Sequence, residues 1–288
     1  MSEKVCCPIK LNLFLRVLSK NARDFHEIFT IFCKKSGKEG LTICPQIKEN
    51  MEDIIDTRGA RIYGVNLVTK VLMLARKEHG CFPPLHVIID KVYPSGSGIG
   101  AGSGNAAAMI RWLGEQYGVV IQGDEIATLG ADVAFLASSH GLALASGVGD
   151  ILSPLEDISN FTAVLAFPKW RSGTKLAYKK LDRLREEKKI KAAEEWECKA
   201  EAQKILAALA SKDKIGLLPN DFLAIFAGER LVNYIEAFDI WDSEGALAWG
   251  LSGSGSAVFA LFPDDSASVC AKEKIERLGW IQKAAILE

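Results

Sequence analysis

Alternating glycines make residues 94–105 the stretch of this sequence best suited to chemistry. They occupy every second position, at Gly96, Gly98, Gly100, Gly102 and Gly104. Glycine adopts φ > 0 readily and lets the backbone approach a ligand where a Cβ would intrude. A strand-like run, 85–92, comes before the loop, and an apolar run that favours a helix, 106–117, follows it. A helix that begins after such a loop presents its first N–H groups and its positive dipole end to an anion. The order of strand, loop and helix therefore predicts a phosphate site.

The loop fits none of the commoner phosphate-binding patterns. A Walker A loop requires Gly-Lys followed by Ser or Thr, whereas the only Gly-Lys, at 37–38, is followed by Glu39. The glycines lack the spacing of the dinucleotide-binding fingerprint, and the later motifs of protein kinases are missing. A flexible Gly/Ser linker is the alternative interpretation. Linkers do not usually separate an apolar strand from an apolar helix, and this favours the phosphate site.

Composition limits the class of protein. The chain has 288 residues, of which 49% are hydrophobic and 25% charged, as in soluble globular proteins. Its net charge of −1 gives no basic excess, so neither nucleic acid nor a membrane surface is expected as a partner. No apolar run is long enough to span a membrane, and the polar start 1–4 has no signal-peptide pattern. Together these features predict a cytoplasmic protein.

The cysteines do not predict a metal site. There are seven, an odd number with irregular spacing and no Cys-x-x-Cys, and the chain has only four histidines. We therefore expect reduced thiols in the core of a cytoplasmic protein.

Two charged residues could carry catalysis. Lys10 lies in the run 5–18, which reads as a strand, and alternation would place it with Asn12 on one face. Taken alone, this pattern favours a lysine that points to solvent. Asp132 lies in the short helical stretch 124–136, which Gly130 interrupts. On that pattern alone, a helix-capping role and a catalytic role are equally compatible with Asp132.

The chain is expected to enter a second half near Ser159. The run 161–167 predicts a buried strand, and the charged region 175–210 predicts a helix. Two ion pairs at i, i+4 spacing would support that helix: Glu187 with Lys191 and Glu195 with Lys199. A second glycine and serine cluster, 251–256, leads into a predicted strand at 257–262.

Three separated elements have one common explanation. Residues 8–10, the loop 94–105 and the cluster 252–256 together resemble the three motifs of the GHMP small-molecule kinases. Within that superfamily the chain is most similar to the kinases that act on a cytidine-diphosphate-linked methylerythritol in the non-mevalonate isoprenoid pathway. Order and spacing hold across nearly the whole chain. The matching segments are 8–17, 24–28, 66–67, 91–100, 130–133, 220–221 and 251–259.

The resemblance implies a fold and a reaction. The fold would be α+β, with an N-terminal half, 1–158, like domain 2 of ribosomal protein S5 and a ferredoxin-like C-terminal half, 159–288. Nucleotide and substrate would meet in the cleft between the halves. The γ-phosphoryl group of ATP would pass to the 2-hydroxyl of the methylerythritol. Asp132 matches the family's base, which accepts the hydroxyl proton, and Lys10 matches the dyad lysine, which favours the developing alkoxide.

The resemblance also implies the binding residues and the cofactors ATP and Mg²⁺. Those expected to bind ATP are Asn66, Lys91, Pro94, Ser95, Gly96, Ser97, Gly98, Ile99, Gly100, Ala101, Gly102, Ser103 and Gly104. Those expected to bind the substrate are Asn12, Phe25, His26, Thr174, Tyr178, Gly253 and Ser254. Phe25 and Tyr178 would hold the cytosine between their rings, and His26 would bond its edge. The expected partner is a small-molecule substrate, and the protein would be a monomer or a homodimer.

Several residues depart from the family's pattern. Where the family has Gly-Gly-Gly-Ser-Ser, residues 100–104 carry an alanine at Ala101 and a glycine at Gly104. Ala101 would restrict a position that needs φ > 0, and Gly104 would remove a hydroxyl contact to phosphate or Mg²⁺. Phe25 lacks the usual tyrosine hydroxyl.

Two other hypotheses remain open. One is a GHMP kinase that acts on another alcohol, of the mevalonate, homoserine or sugar type, and the matches at Phe25 and His26 argue against it. The other is a non-catalytic ATP-binding relative. The presence of both Lys10 and Asp132 argues against that one.

Overall fold

The chain forms two compact units. The structure is a computed structural model that describes residues 2–46, 52–60, 66–79, 82–121, 123–158 and 161–287. The first unit comprises residues 1–10, 34–95 and 100–139, and the second comprises residues 11–33, 96–99 and 140–288. The boundary expected between residues 158 and 159 adjoins residues 159–160, which lie outside the described ranges, so it stays a prediction.

Eleven strands and eight α-helices lie within the described ranges, and the α+β class is confirmed. The strands are β1 Glu3–Lys20, β2 His26–Pro45, β3 Ile54–Gly59, β4 Leu85–Lys91, β5 Leu142–Ser146, β6 Ile151–Leu155, β7 Thr162–Pro168, β8 Gly216–Leu217, β9 Ala248–Leu251, β10 Val258–Phe262 and β11 Ile281–Leu287. The helices are α1 Leu67–His79, α2 Ala101–Tyr117, α3 Asp124–Leu129, α4 Ala131–Ala137, α5 Thr174–Glu186, α6 Glu195–Ala210, α7 Glu229–Ser243 and α8 Asp265–Glu276, with a 3-10 helix at Asp221–Ile225.

Two long strands, β1 and β2, contribute residues to both units. They belong to a sheet of order β3-β4-β2-β5-β6, in which β1 pairs with β2. In the first unit, the C-terminal part of β2 pairs antiparallel with β4, with Thr42 opposite Ile88, and β3 pairs with β4 in parallel. In the second unit, the N-terminal part of β2 pairs antiparallel with β5, with Ile31 opposite Leu144.

Helices α1 and α2 and strand β4 supply much of the core of the first unit. Val71 of α1, Met109 and Leu113 of α2, and Val87 of β4 are fully buried in one cluster. Side chains along β4 alternate between buried and partly exposed, as expected of a strand with one face on a core. This packing holds β4 and α2, the elements on either side of the glycine loop, in one rigid core.

The second unit is built on an antiparallel sheet that β8 extends in parallel, of order β11-β7-β10-β9-β8. Every residue of β7 is buried, which confirms the strand predicted at 161–167. Val258 of β10 lies opposite Ala166 of β7. Tyr234 and Trp241 of α7 pack in the core beneath this sheet.

Helix α2 begins five residues earlier than the sequence predicts. Gly100 is its N-cap and Ala101 its first residue, so the loop proper ends at Gly100. Gly102 and Gly104 are therefore helical, although glycine is a poor helix former. Tertiary packing of the rest of α2, which is buried from Gly104 to Ile110, outweighs that local preference.

The charged region 175–210 is two helices, not one. Helix α5 ends at Glu186 and α6 begins at Glu195. The expected pair of Glu195 with Lys199 is confirmed, at 2.7 Å. The expected pair of Glu187 with Lys191 is wrong, because Glu187 is the C-cap that follows α5 and the helix does not continue to Lys191. Glu187 pairs instead with two other cations, Arg183 and Lys189.

Lys10 does not point to solvent as its pattern alone suggested. The residue is only 5% exposed, and both its neighbours, Ile9 and Leu11, are also buried. Both faces of β1 are therefore covered at this point, and simple alternation fails. Within the described ranges, no helix is both long enough and apolar enough to cross a bilayer.

Candidate active site

Lys10 and Asp132, 122 positions apart in sequence, meet in the first unit. Lys10 Nζ lies 3.7 Å from Asp132 Oδ1. The lysine side chain is 6% exposed and the aspartate side chain 31%, so the ammonium is enclosed while the carboxylate remains accessible. Asp132 is in the first turn of α4, where the helix dipole favours a negative charge. The carboxylate of Asp132 can therefore accept a proton from a group that approaches it, next to the positive charge of Lys10.

Gly100 brings the glycine loop against this pair. Its φ of 66° is left-handed, a conformation that glycine adopts without strain. A Cβ at this position would lie 3.2 Å from Lys10 Cγ and 3.3 Å from Asp132 Oδ2. The backbone at the start of α2 therefore lies directly beside both charged side chains. No side chain caps this helix end within the described residues, and a helix leaves its first N–H groups without intrahelical partners.

The structure shows that Ala101 does not strain the backbone as expected, and it shows what surrounds Gly104. Ala101 is helical and not left-handed, so its methyl group causes no backbone strain. At Gly104 a Cβ would lie 1.7 Å from the carbonyl oxygen of Pro8. The glycine thus allows α2 to pack directly against β1, and a serine would not fit without a shift of the helix.

The C-terminal end of α4 is held by two cations. Arg111 of α2 donates to the carbonyl of Leu136 at 2.8 Å, and Lys34 donates to the carbonyl of Ser138 at 2.6 Å. Cations at this end complement the helix dipole. Burial, and then the nearby charge of Arg111, lower the pKa of Lys34 to about 8. These contacts hold the helix that carries Asp132.

Lys91 and Asn66, the two residues predicted to bind ATP that lie outside the loop, have hydrogen-bond partners of their own. Lys91, which ends β4, pairs with Glu39 and donates to Asn105 Oδ1 at 3.0 Å, and all three side chains are buried. Asn66, the other residue predicted to bind ATP outside the loop, accepts a hydrogen bond from the Val68 N–H at 2.9 Å at the start of α1.

In the second unit, loop residues 96–99 contact the second glycine cluster. Ser252 Oγ donates to the Gly98 carbonyl at 3.1 Å. The N–H of Ala257 donates to the carbonyl of Ser97 at 3.0 Å. These two hydrogen bonds hold residues 96–99 against the second glycine cluster within the second unit.

Most of the polar residues predicted to bind substrate are joined by hydrogen bonds. Asn12 Oδ1 accepts from the N–H of Gly253 at 2.9 Å. The hydroxyls of Thr174 and Ser254 are 3.0 Å apart. Asn220 donates from its amide to the carbonyl of Gly253 at 3.0 Å, and so helps to hold the same turn. These hydrogen bonds restrict the backbone of the turn that carries Ser254.

The aromatic residues are less enclosed. Phe25 is 63% exposed, and the His26 ring stacks on Tyr178 with centroids 5.0 Å apart and planes inclined by 10°. His26 Nε2 lies 2.9 Å from Asp182 Oδ1. The imidazole therefore covers one face of the Tyr178 ring.

The sequence analysis did not identify four residues of this site: Glu39, Arg111, Lys34 and Asp182. Each acts through a partner distant in sequence, and none lies in a motif. One feature of the sequence set Glu39 apart, because it directly follows the single Gly-Lys at 37–38. Nothing in the sequence indicated which residue it would pair with.

Two family models match the chain. The one for the GHMP kinases N terminal domain matches residues 66–151, and the one for GHMP kinases C terminal matches residues 232–279.

Individual proteins match over most of their length. The 4-diphosphocytidyl-2-C-methyl-D-erythritol kinase of Porphyromonas gingivalis is 30% identical, over 88% of this chain and 89% of that protein. The kinase of the same name from Thermotoga petrophila is 31% identical, over 90% of this chain and 92% of that protein. A crystal structure of 4-(cytidine 5'-diphospho)-2C-methyl-D-erythritol kinase matches with a TM-score of 0.78 and 27% identity, over 100% of this chain and 98% of that one.

Proposed function

The chain belongs to the GHMP kinase family, and within it we propose that this protein phosphorylates the 2-hydroxyl of 4-(cytidine 5'-diphospho)-2-C-methyl-D-erythritol. The resemblance, the α+β fold of two GHMP kinase domains and the class of ATP-dependent small-molecule kinase are confirmed. The acceptor follows from the names of the relatives that match most of the chain. The observation that carries the mechanism is the pair of Lys10 and Asp132, 3.7 Å apart beside Gly100.

Asp132 is the general base in this mechanism. It accepts the proton of the acceptor hydroxyl as the oxygen forms its bond to the γ-phosphorus of ATP. The bond from that phosphorus to the β,γ-bridging oxygen breaks, and ADP leaves. The accessibility of the Asp132 carboxylate supports this role, because a base must be reached by the substrate.

Lys10 favours the charge that develops on the acceptor oxygen. Its ammonium is enclosed, so little water screens its field. Lys10 Nζ lies 3.7 Å from Asp132 Oδ1, so its positive charge acts at the place where the acceptor hydroxyl meets the base.

The start of α2 binds the phosphates of ATP. An uncapped helix end that follows left-handed glycines is suited to an anion, since its N–H groups and dipole both favour negative charge. Mg²⁺ would accompany the nucleotide and, when bound, would neutralise part of the phosphate charge. Among the described residues no three His, Cys, Asp or Glu side chains cluster as a metal site. Nucleotide-bound Mg²⁺ is compatible with this, because phosphates and water supply most of its ligands.

The cytosine binds at Tyr178 and Phe25. In this proposal the base takes the place of the His26 ring on Tyr178, Phe25 covers its other face, and His26 bonds its edge. The exposure of Phe25 supports the proposal, because an aromatic side chain that covers a ligand must be accessible without it. A cytoplasmic location and a monomeric or homodimeric state stay predictions of the sequence.

The test is ATP-dependent phosphorylation of the cytidine-diphosphate methylerythritol by wild type, Asp132→Asn and Asp124→Asn. Asp124 is the matched control, an exposed first-turn aspartate in the preceding helix α3. We expect turnover by wild type and Asp124→Asn, and a loss of roughly 10³-fold in kcat for Asp132→Asn. Equal losses in the two variants would refute the role of Asp132.

A kinase for another small alcohol is the second candidate. One observation favours it. The His26 ring lies on a face of Tyr178, so that face is not open to a cytosine in this structure. No turnover of the cytidine substrate, with turnover of another alcohol from a panel, would establish it. ATP binding without turnover of any alcohol would indicate the non-catalytic relative.

A further inference from the structure

One buried carboxylate, Glu39 of β2, bonds both ends of the glycine loop. Its side chain is 1% exposed and pairs with the ammonium of Lys91, which is 5% exposed. Its Oε1 accepts from the N–H groups of Val92 at 3.1 Å and Tyr93 at 2.9 Å. Its Oε2 contacts Lys91 Nζ and accepts from Asn105 Nδ2 at 3.0 Å.

These partners lie on opposite sides of the loop. Val92 and Tyr93 are the residues by which the chain leaves β4, and Asn105 is the fifth residue of α2. The carboxylate therefore ties the exit of the strand to the first turns of the helix. The loop between them spans Pro94 to Gly100, whose last residue caps α2.

We propose that Glu39 is a positioning residue for nucleotide binding, because it sets the separation and orientation of the two loop ends. The inference rests on the proposed function only in that ATP binds at the start of α2. N–H groups aimed at a phosphate are effective when they are held in place before the ligand arrives. A carboxylate with four donors supplies that constraint, since none of the four can move without breaking a buried hydrogen bond.

A simpler role for Glu39 would be to neutralise the buried Lys91. Removal of one member of a buried ion pair destabilises a protein, whatever else that member does. The decisive comparison is therefore between two double variants that both lack Lys91: E39Q/K91M and E39M/K91M. In each the buried charges are gone, and any contact of Lys91 with ATP is lost equally. Only E39Q/K91M keeps a side-chain oxygen that can accept from the N–H groups of Val92 and Tyr93.

The readouts are the dissociation constant for ATP by calorimetry, the KM of the acceptor, and unfolding in urea. We expect E39M/K91M to bind ATP about tenfold more weakly than E39Q/K91M, the effect of losing one or two aligned hydrogen bonds. The acceptor KM should be the same in both. Equal ATP affinities in two folded variants would overturn the proposal and leave Glu39 a charge-balancing role alone.

A second variant applies if E39M/K91M does not fold. Asn105→Leu keeps the ion pair of Glu39 and Lys91 and removes the bonds that both of these side chains make to α2 through Asn105. We expect a several-fold rise in the ATP dissociation constant with an unchanged acceptor KM, and an unchanged ATP affinity would contradict the proposal. Because ATP binding is measured without an acceptor, a wild type that binds ATP but does not phosphorylate the cytidine substrate refutes the proposed function and still allows this test.

Discussion

The two regions implicated in catalysis and in base recognition differ in how firmly they are held. The dyad region, formed by Lys10, Asp132 and Gly100, is closely packed, and a single added methyl group at Gly100 would contact both side chains. The aromatic region, formed by Phe25, His26 and Tyr178, has one ring 63% exposed and another covered by its neighbour. The first region is in place before a ligand binds, whereas the second would have to rearrange to accept the base that we propose it binds.

This difference fits what the proposed function requires of each region. Proton transfer requires donor and acceptor within hydrogen-bond reach, and a displacement of about 1 Å can cost on the order of 100-fold in rate. Stacking on an aromatic ring tolerates larger displacements, because the energy varies slowly over offset geometries. Rigid packing is therefore expected at the dyad and adaptable packing at the aromatic rings.

The largest effect is expected from Lys10→Met. The substitution keeps the length of the side chain and removes its charge, so the acceptor oxygen loses its nearby cation. We expect kcat to fall by roughly 10³-fold, measured by ADP release. Lys4→Met, an exposed position on the same strand, is the control and should retain wild-type turnover. A fall of less than tenfold in Lys10→Met would show that the dyad region does not need its cation.

A smaller effect is expected from Gly104→Ser, which restores the residue usual in the family. Its Cβ would lie 1.7 Å from the Pro8 carbonyl oxygen, so α2 must shift away from β1. We expect a loss of about 1–3 kcal/mol in the free energy of unfolding, as for other overpacked sites, measured in urea. Gly114→Ala in the same helix is the control, because a Cβ there meets its nearest neighbour at 3.4 Å. An unchanged stability in Gly104→Ser would mean that α2 can shift on β1 without cost. The packing beside the dyad region would then be as adaptable as that of the aromatic region.

A still smaller effect, on binding alone, is expected from Phe25→Ala. Base stacking on an aromatic side chain contributes about 1–3 kcal/mol, so the acceptor KM should rise roughly tenfold. Stability and the KM for ATP should not change, because the ring is largely exposed. Trp196→Ala removes another exposed aromatic ring and serves as the control. An acceptor KM equal to that of wild type would exclude Phe25 from base recognition.

The sequence predicted the residues in motifs better than the residues that support them. Lys10 and Asp132 followed from the resemblance, and their proximity is observed. The true start of α2 was not predicted, because its first turn contains glycines, which are poor helix formers. Packing on the core outweighs that local preference. Glu39 and Arg111 could not be predicted, since a buried polar side chain is explained only by partners that the fold brings to it. The stacking of His26 on Tyr178 was not foreseen for the same reason.

The smallest effect concerns Lys34, which holds α4 behind the dyad region. Burial and Arg111 lower its pKa in the folded state to about 8, from 10.5. Between these two pH values the unfolded chain binds more protons than the folded one, so this group makes stability rise with pH. Below about pH 8 both states are protonated and the cost of the buried charge is constant. The free energy of unfolding of wild type minus that of Lys34→Met should therefore increase from about pH 8 to pH 10.5, and this is measured by urea titrations at intervals across the range. Taking the difference removes the contributions of other groups that titrate there. A difference that stays flat would show that Lys34 moves freely into solvent, and that α4 is held less firmly than the packing of the dyad region requires.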